Sequence, residues 1–279
     1  MIDLPTCPLT GKTGTTIIYE GPIRSGGADS GLESGYKVLH NSHSQLAWLT
    51  PFPKNLTTYY SSNEYWEEHH SQGAELERLR QKLDHEQEIW LRHIGHSAFR
   101  VDSVADFGAG PGIFLEHIKG LAGWCTGVDL TTPYKSAYDE RGFKLLQFGE
   151  ALENEQFDCV VSFDTLEHVP EPWTFLQSMH DSLKAGGHAY IGVPNLNDFL
   201  KQLVPGYLPF FYHKSHLWYF CIDALTSLAK HVGFEILETS CVHKYDLNNL
   251  IIWAKNGKPS GKQGSPVFDS MSDRTFIQS

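Results

Sequence analysis

The chain has 279 residues, 41% hydrophobic and 20% charged, which suffices for one large α/β domain or for a domain with an appendage. Its net charge of -11 argues against a polyanionic partner, because nucleic-acid binding leans on basic phosphate contacts. No run of roughly 18 apolar residues is present to span a membrane, and "MIDLPTCPLTGK" lacks the charged and apolar regions of a signal peptide.

The first 45 or so residues are rich in Gly, Ser and Thr and predict short strands and loops. Cys7, Cys125, Cys159, Cys221 and Cys241 are scattered and never form C-x-x-C. They predict reduced thiols in a cytoplasmic protein. "GAELERLRQKLDHEQEIWLRHIG" places Leu76, Leu79, Leu83, Ile89 and Trp90 on one helical face. From about Asp102 strands and helices alternate. "DSVADFG", "WCTGVDL", "FKLLQFG", "FDCVVSFD" and "HAYIGVPN" read as strands. "GIFLEHIKGLA", "PEPWTFLQSMHDSLKAGG" and "IDALTSLAKHVGF" read as helices, with Gly186 and Gly187 expected to cap the second. "EILETSCVHKYD" and "LNNLIIWAKNG" read as a final antiparallel pair. The residues after Lys258 read as a flexible tail. Alternation of this kind predicts a mostly parallel sheet covered on both faces, with its ligand outside the carboxyl ends of the strands.

The strand-end segment "VADFGAGPGIFLEHI" is therefore the candidate ligand loop. Asp106, Gly108, Gly110 and Gly112 form D-x-G-x-G-x-G. Ile113 stands where a dinucleotide loop has its third glycine, and no Gly-Lys-Ser/Thr follows as in a Walker loop. The acid before the loop disfavours a pyrophosphate and suits a cationic ligand without phosphates, such as S-adenosylmethionine. Asp129 ends the next strand, where its carboxylate can accept from both ribose hydroxyls.

With "VADFGAGPG", "GVDL", "FDCVVSFDTLEHVPEPWTFLQSMHDSLKAGGHAYIGVPN" and "HVGFEI" in place, residues 72–256 resemble a class I S-adenosylmethionine-dependent methyltransferase. The branch is the one with ubiquinone-type and sugar methyltransferases. The resemblance implies an α/β, Rossmann-like, seven-stranded, mostly parallel sheet with helices on both faces and an antiparallel last strand, plus a small N-terminal appendage. It implies that Asp106, Phe107 and the backbone of Gly108, Ala109, Gly110 and Gly112 hold the methionine part. Asp129 would hold the ribose, Leu130 would lie beside the adenine, and Phe148, Gly149 and Glu150 would flank the adenine. Phe163 and Asp164 would lie near the sulfonium.

Methyl transfer needs an aligned nucleophile, exclusion of water and removal of a proton where one is lost. Two histidines are candidates for that role. His168 follows the fourth strand in "TLEHV", and His216 lies in "YHKSHLWYF". The latter segment resembles Tyr-x-Glu-His-Leu-x-Tyr-Phe of sugar C-methyltransferases. Ser215 stands in the glutamate position and His213 in the tyrosine position, so the orienting acid is missing from the motif. Those enzymes often begin with paired zinc-binding C-x-x-C motifs. Here Cys7, Thr10, His40 and His43 occupy the corresponding places, which is too few ligands for a structural zinc site, and no metal is expected.

The expected organisation is an appendage at 1–60, a cofactor-binding domain at 61–257 with a substrate-side insertion at 196–221, and a tail at 258–279. The expected activity is methylation of a small molecule, a sugar or nucleotide-sugar leading and a quinone- or phenol-type acceptor second. The partner is a small-molecule acceptor, with no nucleic acid and no membrane insertion, and a homodimer is left open. A Rossmann-type oxidoreductase is disfavoured by Asp106 and Ile113. A non-catalytic binding protein on this fold stays open because of Ser215 and the eroded C-x-x-C region.

Overall fold

A computed structural model of the chain describes residues 4–25, 31–54, 76–130, 134–149, 156–198, 200–204, 207–242, 262–263 and 274–278. The N-terminal part forms β1 (Thr15–Glu20), β2 (Ile23–Arg24), β3 (Leu32–Glu33), β4 (Lys37–Asn41) and β5 (Ala47–Thr50). Helix α1 (Leu76–Ile94) then leads into the alternating region. There follow β6 (Ser103–Phe107), α2 (Ile113–Ile118), β7 (Trp124–Asp129), α3 (Lys135–Arg141), β8 (Lys144–Gln147), β9 (Phe157–Phe163), α4 (Pro172–Asp181) and β10 (Leu183–Pro194). The remaining elements are α5 (Leu200–Leu203), α6 (Tyr207–Phe211), β11 (Trp218–Tyr219), α7 (Ile222–His231), β12 (Glu238–Val242), β13 (Lys262–Gln263) and β14 (Arg274–Gln278).

The larger sheet has the order β12-β14-β10-β9-β6-β7-β8. Strands β10, β9, β6, β7 and β8 run parallel to one another, and β14 is antiparallel to both β10 and β12. The apolar strands alternate between two cores, as a sheet buried on both faces requires. Val104, Cys159, Val161, Phe163 and Tyr190 point to a core that α1 and α2 complete with Trp90, Phe114 and Leu115. Ala105, Phe107, Val160, Ala189, Ile191 and Val193 point to the other, completed by Phe175 and Leu176 of α4 and Leu225 of α7. Trp90 stacks on Phe163 with ring centroids 4.9 Å apart, which fixes α1 against the end of β9. At the amino ends of the strands, Asp158 accepts from the Ser103 backbone N–H at 2.9 Å and from Lys184 Nζ at 2.9 Å, pinning β6, β9 and β10 together.

Two expectations are corrected. Helix α4 ends at Ser182, not at Gly186 and Gly187. Leu183 already pairs with Phe157, and the Phe157 N–H donates to the Ser182 carbonyl at 2.8 Å, so the sheet recruits the chain before the glycines arrive. Gly186, at φ 78°, serves the register shift between Leu183 and His188. The stretch 258–279 is not tail throughout, because Lys262–Gln263 pairs with β1 and Arg274–Gln278 enters the large sheet. An Arg-Thr-Phe-Ile-Gln segment in the gap between β10 and β12 satisfies two rows of backbone hydrogen bonds, which outweighs the polar composition around it. The strand expected in "LNNLIIWAKNG" lies outside the described residues.

The appendage is also less separate than its sequence suggests. Its sheet has the order β11-β5-β4-β1-β13, so the insertion supplies an edge strand, with Trp218 opposite Trp48. Tyr19, Ile23 and Trp48 share one buried cluster with Phe157, Trp218 and Leu225. Where paired zinc ligands were considered, Asn41 is fully buried and ties the turns together. Its Nδ2 donates to the Lys12 and Thr13 carbonyls at 3.1 and 2.9 Å, and its Oδ1 accepts from the His43 and Ser44 N–H groups, both at 3.1 Å. Cys7 Sγ lies 3.3 Å from Ser44 Oγ.

Candidate functional site: a glycine loop beside a Glu-His-His cluster

The glycine loop leaves β6 and crosses the carboxyl end of the sheet. Gly108 has φ 82°, and its N–H donates to the Val128 carbonyl at 2.7 Å. A Cβ at this position would meet Thr165 Cγ2 at 2.2 Å, so the loop lies directly on the segment that follows β9. Gly112 has φ 74° and backs onto the Tyr138 ring, 2.8 Å from where a Cβ would sit. Tyr138, fully buried, donates from its hydroxyl to the Gly110 carbonyl at 3.1 Å. Arg141 donates to the Pro111 carbonyl at 2.7 Å and pairs with Glu116. The loop is thus braced from one side by α3.

Asp129 Oδ2 accepts from the Gly110 N–H at 2.8 Å, which joins the ends of β6 and β7 across the loop. Asp106 is buried beneath it. Burial, and then the Asp129 carboxylate, pushes the Asp106 carboxyl up to about 8. Leu130 is half-buried beside Asp129. The Phe148 N–H donates to the Asp129 carbonyl at 2.9 Å, and the Phe148 ring stacks on Phe175 at 5.4 Å. Gly149 follows it at φ 90° and is exposed. Glu150 lies outside the described residues. Phe107 and Ala109 point their side chains into the two cores, so only their backbones face the loop. Phe163 likewise sits between Trp90 and Phe114, which leaves its backbone alone at the strand end. Asp164 has φ 50°, unusual for a residue other than glycine, and its N–H donates to the Gly192 carbonyl at 2.9 Å.

Directly after Thr165, the chain enters a short turn at Leu166–His168. Here the structure brings together His168 and His216, which the sequence separates. The Leu217 N–H donates to the Glu167 carbonyl at 2.8 Å, and Trp218 Nε1 donates to the Val169 carbonyl at 2.8 Å. His168 Nδ1 lies 2.8 Å from the Ser215 carbonyl. These bonds align the two segments, and the side chains converge. Glu167 Oε1 lies 3.9 Å from His168 Nε2 and 3.7 Å from His216 Nε2. The Glu167 side chain is 1% exposed, against 11% for His168 and 12% for His216. The cluster is therefore nearly dry, and its electrostatics are strong. His213 packs against His216 with ring centroids 3.5 Å apart and planes tilted by 48°, and shares a 2.7 Å hydrogen bond with Ser215 Oγ.

Glu167 and His213 were missed as site residues. A carboxylate, absent at position 215, comes from another loop to lie 3.7 Å from His216, a neighbourhood that no linear motif can show. The signal was the Glu167–His168 doublet, which reads equally well as a turn.

A family model described as a methyltransferase domain matches residues 69–239. The chain is 28% identical over 118 residues to a ubiquinone biosynthesis O-methyltransferase of Paraburkholderia phytofirmans, a match covering 39% of this chain and 50% of that protein. It is 32% identical over 104 residues to the enzyme of the same name from Yersinia pestis, covering 34% of this chain and 43% of that protein. The chain thus spans about half the length of these relatives or less. A SAM-dependent methyltransferase of Thermotoga maritima shares the fold at 20% identity and TM-score 0.51, with 73% of this chain and 93% of that chain covered. Among the described residues no helix is long and apolar enough to cross a membrane. A match over residues 69–239, on a strand order that sets the glycine loop at the carboxyl ends of the strands, leaves one assignment: the chain belongs to the methyltransferase-domain family.

Proposed function

We propose that the chain moves the methyl group of S-adenosylmethionine to a hydroxyl oxygen of a small, phenol- or quinol-type acceptor. The observation that carries this reading is the Glu167–His168–His216 cluster, placed beside the glycine loop by the contact of Gly108 with Thr165. An acceptor hydroxyl must lose its proton on methylation, and this cluster is where that loss is assisted. The relatives named above favour an O-acceptor of the ubiquinone type over the sugar expected from residues 212–220. Asp129 holds the ribose, Leu130 and Phe148 border the adenine, and Asp106 faces the cationic methionyl group. A panel of phenols and nucleotide-sugars offered with labelled methyl donor tests the reading. Label on a phenolic oxygen is expected, and transfer to sugars alone would overturn the acceptor class.

Replacing His216 by alanine is expected to lower turnover by about two to three orders of magnitude, the range of assisted proton transfer. The cofactor affinity should change little, because the ribose and the methionyl group are assigned to Asp129 and Asp106. Steady-state rates beside calorimetry separate the two, and equal turnover in H216A would return His216 to a packing role.

The buried Asp106 gives a pH signature. An ordinary aspartate titrates at about 4, so between there and about 8 the folded, ligand-free chain keeps a proton that the unfolded chain has released. Its stability therefore falls as pH rises through that window. A cationic ligand favours the carboxylate, so S-adenosylmethionine expels the proton and binds more tightly as pH rises through the same window. Calorimetry in two buffers of different ionisation heat should show release approaching one proton near neutral pH. No release would remove Asp106 from the ligand.

A further inference from the structure

We infer that Glu167, His168 and His216 form a site for a divalent first-row transition metal ion, which binds the acceptor hydroxyl directly. The inference rests on the reading of the cluster above and specifies how the cluster works. It also departs from the sequence expectation, which considered metal only at the N-terminal Cys and His positions.

The spacing is the first argument. A histidine hydrogen-bonded to a carboxylate would bring N and O to about 2.7–2.9 Å. Two ligands each about 2.1 Å from one tetrahedral ion stand about 3.4–3.6 Å apart. The observed separations are 3.7 and 3.9 Å, and the three donor atoms lie within 4.8 Å of one another. Both carboxylate separations are too long for a hydrogen bond and lie just above the spacing of ligands around such an ion.

The second argument is the direction of the lone pairs. The Ser215 carbonyl can only accept, so the 2.8 Å contact puts the proton of His168 on Nδ1. In the neutral ring, Nε2 then presents its lone pair to Glu167 Oε1. A cation placed between them would meet both lone pairs in a nearly dry site. A ligating histidine commonly donates its second N–H to a backbone carbonyl, as His168 does here.

The third argument is charge and coordination. One carboxylate and two neutral imidazoles leave a divalent ion with net charge +1, and one deprotonated hydroxyl brings the site to zero. Three protein ligands keep a position open, as catalytic sites do. The ion lowers the pKa of the bound hydroxyl, whose proton passes to water. The oxygen forms its bond to the methyl carbon as the S–C bond breaks, and that electron pair stays on sulfur as the neutral thioether. A mix of nitrogen and oxygen donors suits Zn(II), Mn(II), Fe(II) or Co(II) better than Ca(II) or Mg(II).

The test uses the full chain, stripped with chelator and titrated with Co(II) without methyl donor or acceptor. Visible d–d absorption saturating at one equivalent, displaced by Zn(II), is expected. Glu167→Gln and His168→Ala should each weaken Co(II) binding at least tenfold while S-adenosylmethionine affinity stays unchanged, which also shows that the variants fold. Chelator should abolish methyl transfer, and added metal should restore it. Absence of a one-to-one spectrum, equal binding in both variants, or full turnover in chelator would overturn the metal. An imidazolium on His168 seen by NMR across neutral pH, with no bound Co(II), would overturn it too, a proton then holding the place between His168 and Glu167. Failure of the methyl-transfer reading would show separately, as no acceptor labelled under any metal condition.

Discussion

Replacing Asp129 by alanine is expected to reduce the affinity for S-adenosylmethionine by roughly two to four orders of magnitude. A carboxylate accepting from two ribose hydroxyls makes two charge-assisted hydrogen bonds, each worth about 1.5–3 kcal/mol. Asp129 Oδ2 also holds the Gly110 N–H at 2.8 Å, so the variant loosens the glycine loop. Asparagine at 129 keeps an acceptor for Gly110 but loses the charge, and should fall between the two. Calorimetry on the three chains measures the series. Unchanged affinity in D129A would end the ribose assignment and leave Asp129 as a strut of the loop.

The second large effect is expected from Gly108→Ala. A left-handed backbone costs an L-residue about 1–2 kcal/mol, and forcing an extra carbon into a filled site costs about 1–3 kcal/mol more. The added carbon would sit 2.2 Å from Thr165 Cγ2 and 2.7 Å from Thr165 Cβ. That overlap reaches the root of the side chain, so the turn itself must move. The turn carries Glu167 and His168, and the damage should therefore reach turnover as well as stability and cofactor affinity. Thr165→Gly in the same chain removes the overlap but not the backbone cost, and should restore stability in part. Denaturant midpoints of the single and double variants give the comparison. Wild-type stability and affinity in G108A would mean that the loop does not rest on Thr165.

Much of the frame was legible in the sequence because its signals are local. The apolar residues of β9 and β10 fall in short consecutive runs, such as Cys159–Val161 and Ala189–Ile191, as strands buried on both faces require. Asp106, Gly108, Gly110 and Gly112 announce a strand-to-helix loop through residue types that a tight, ligand-facing backbone requires. Helix α1 showed in the spacing of Leu83, Ile89 and Trp90. Phe163 was harder to read. Its place at a strand end suggested a ligand contact, while the side chain went to the stack with Trp90, a partner from a distant helix.

The sequence by itself thus determined the alternating α/β order, the place of the glycine loop and the acids at the ends of β6 and β7. Each depends on periodicity or backbone geometry within a few residues. Only the tertiary structure decided that the insertion supplies an edge strand to the N-terminal sheet, that Arg274–Gln278 lies between β10 and β12, and that Glu167 faces both His168 and His216. His168 and Ser215 are 47 residues apart in the chain, and their hydrogen bond exists because two loops leave the same end of one sheet. Contacts of that kind are set by how layers pack against each other, and residue spacing along the chain carries no record of it.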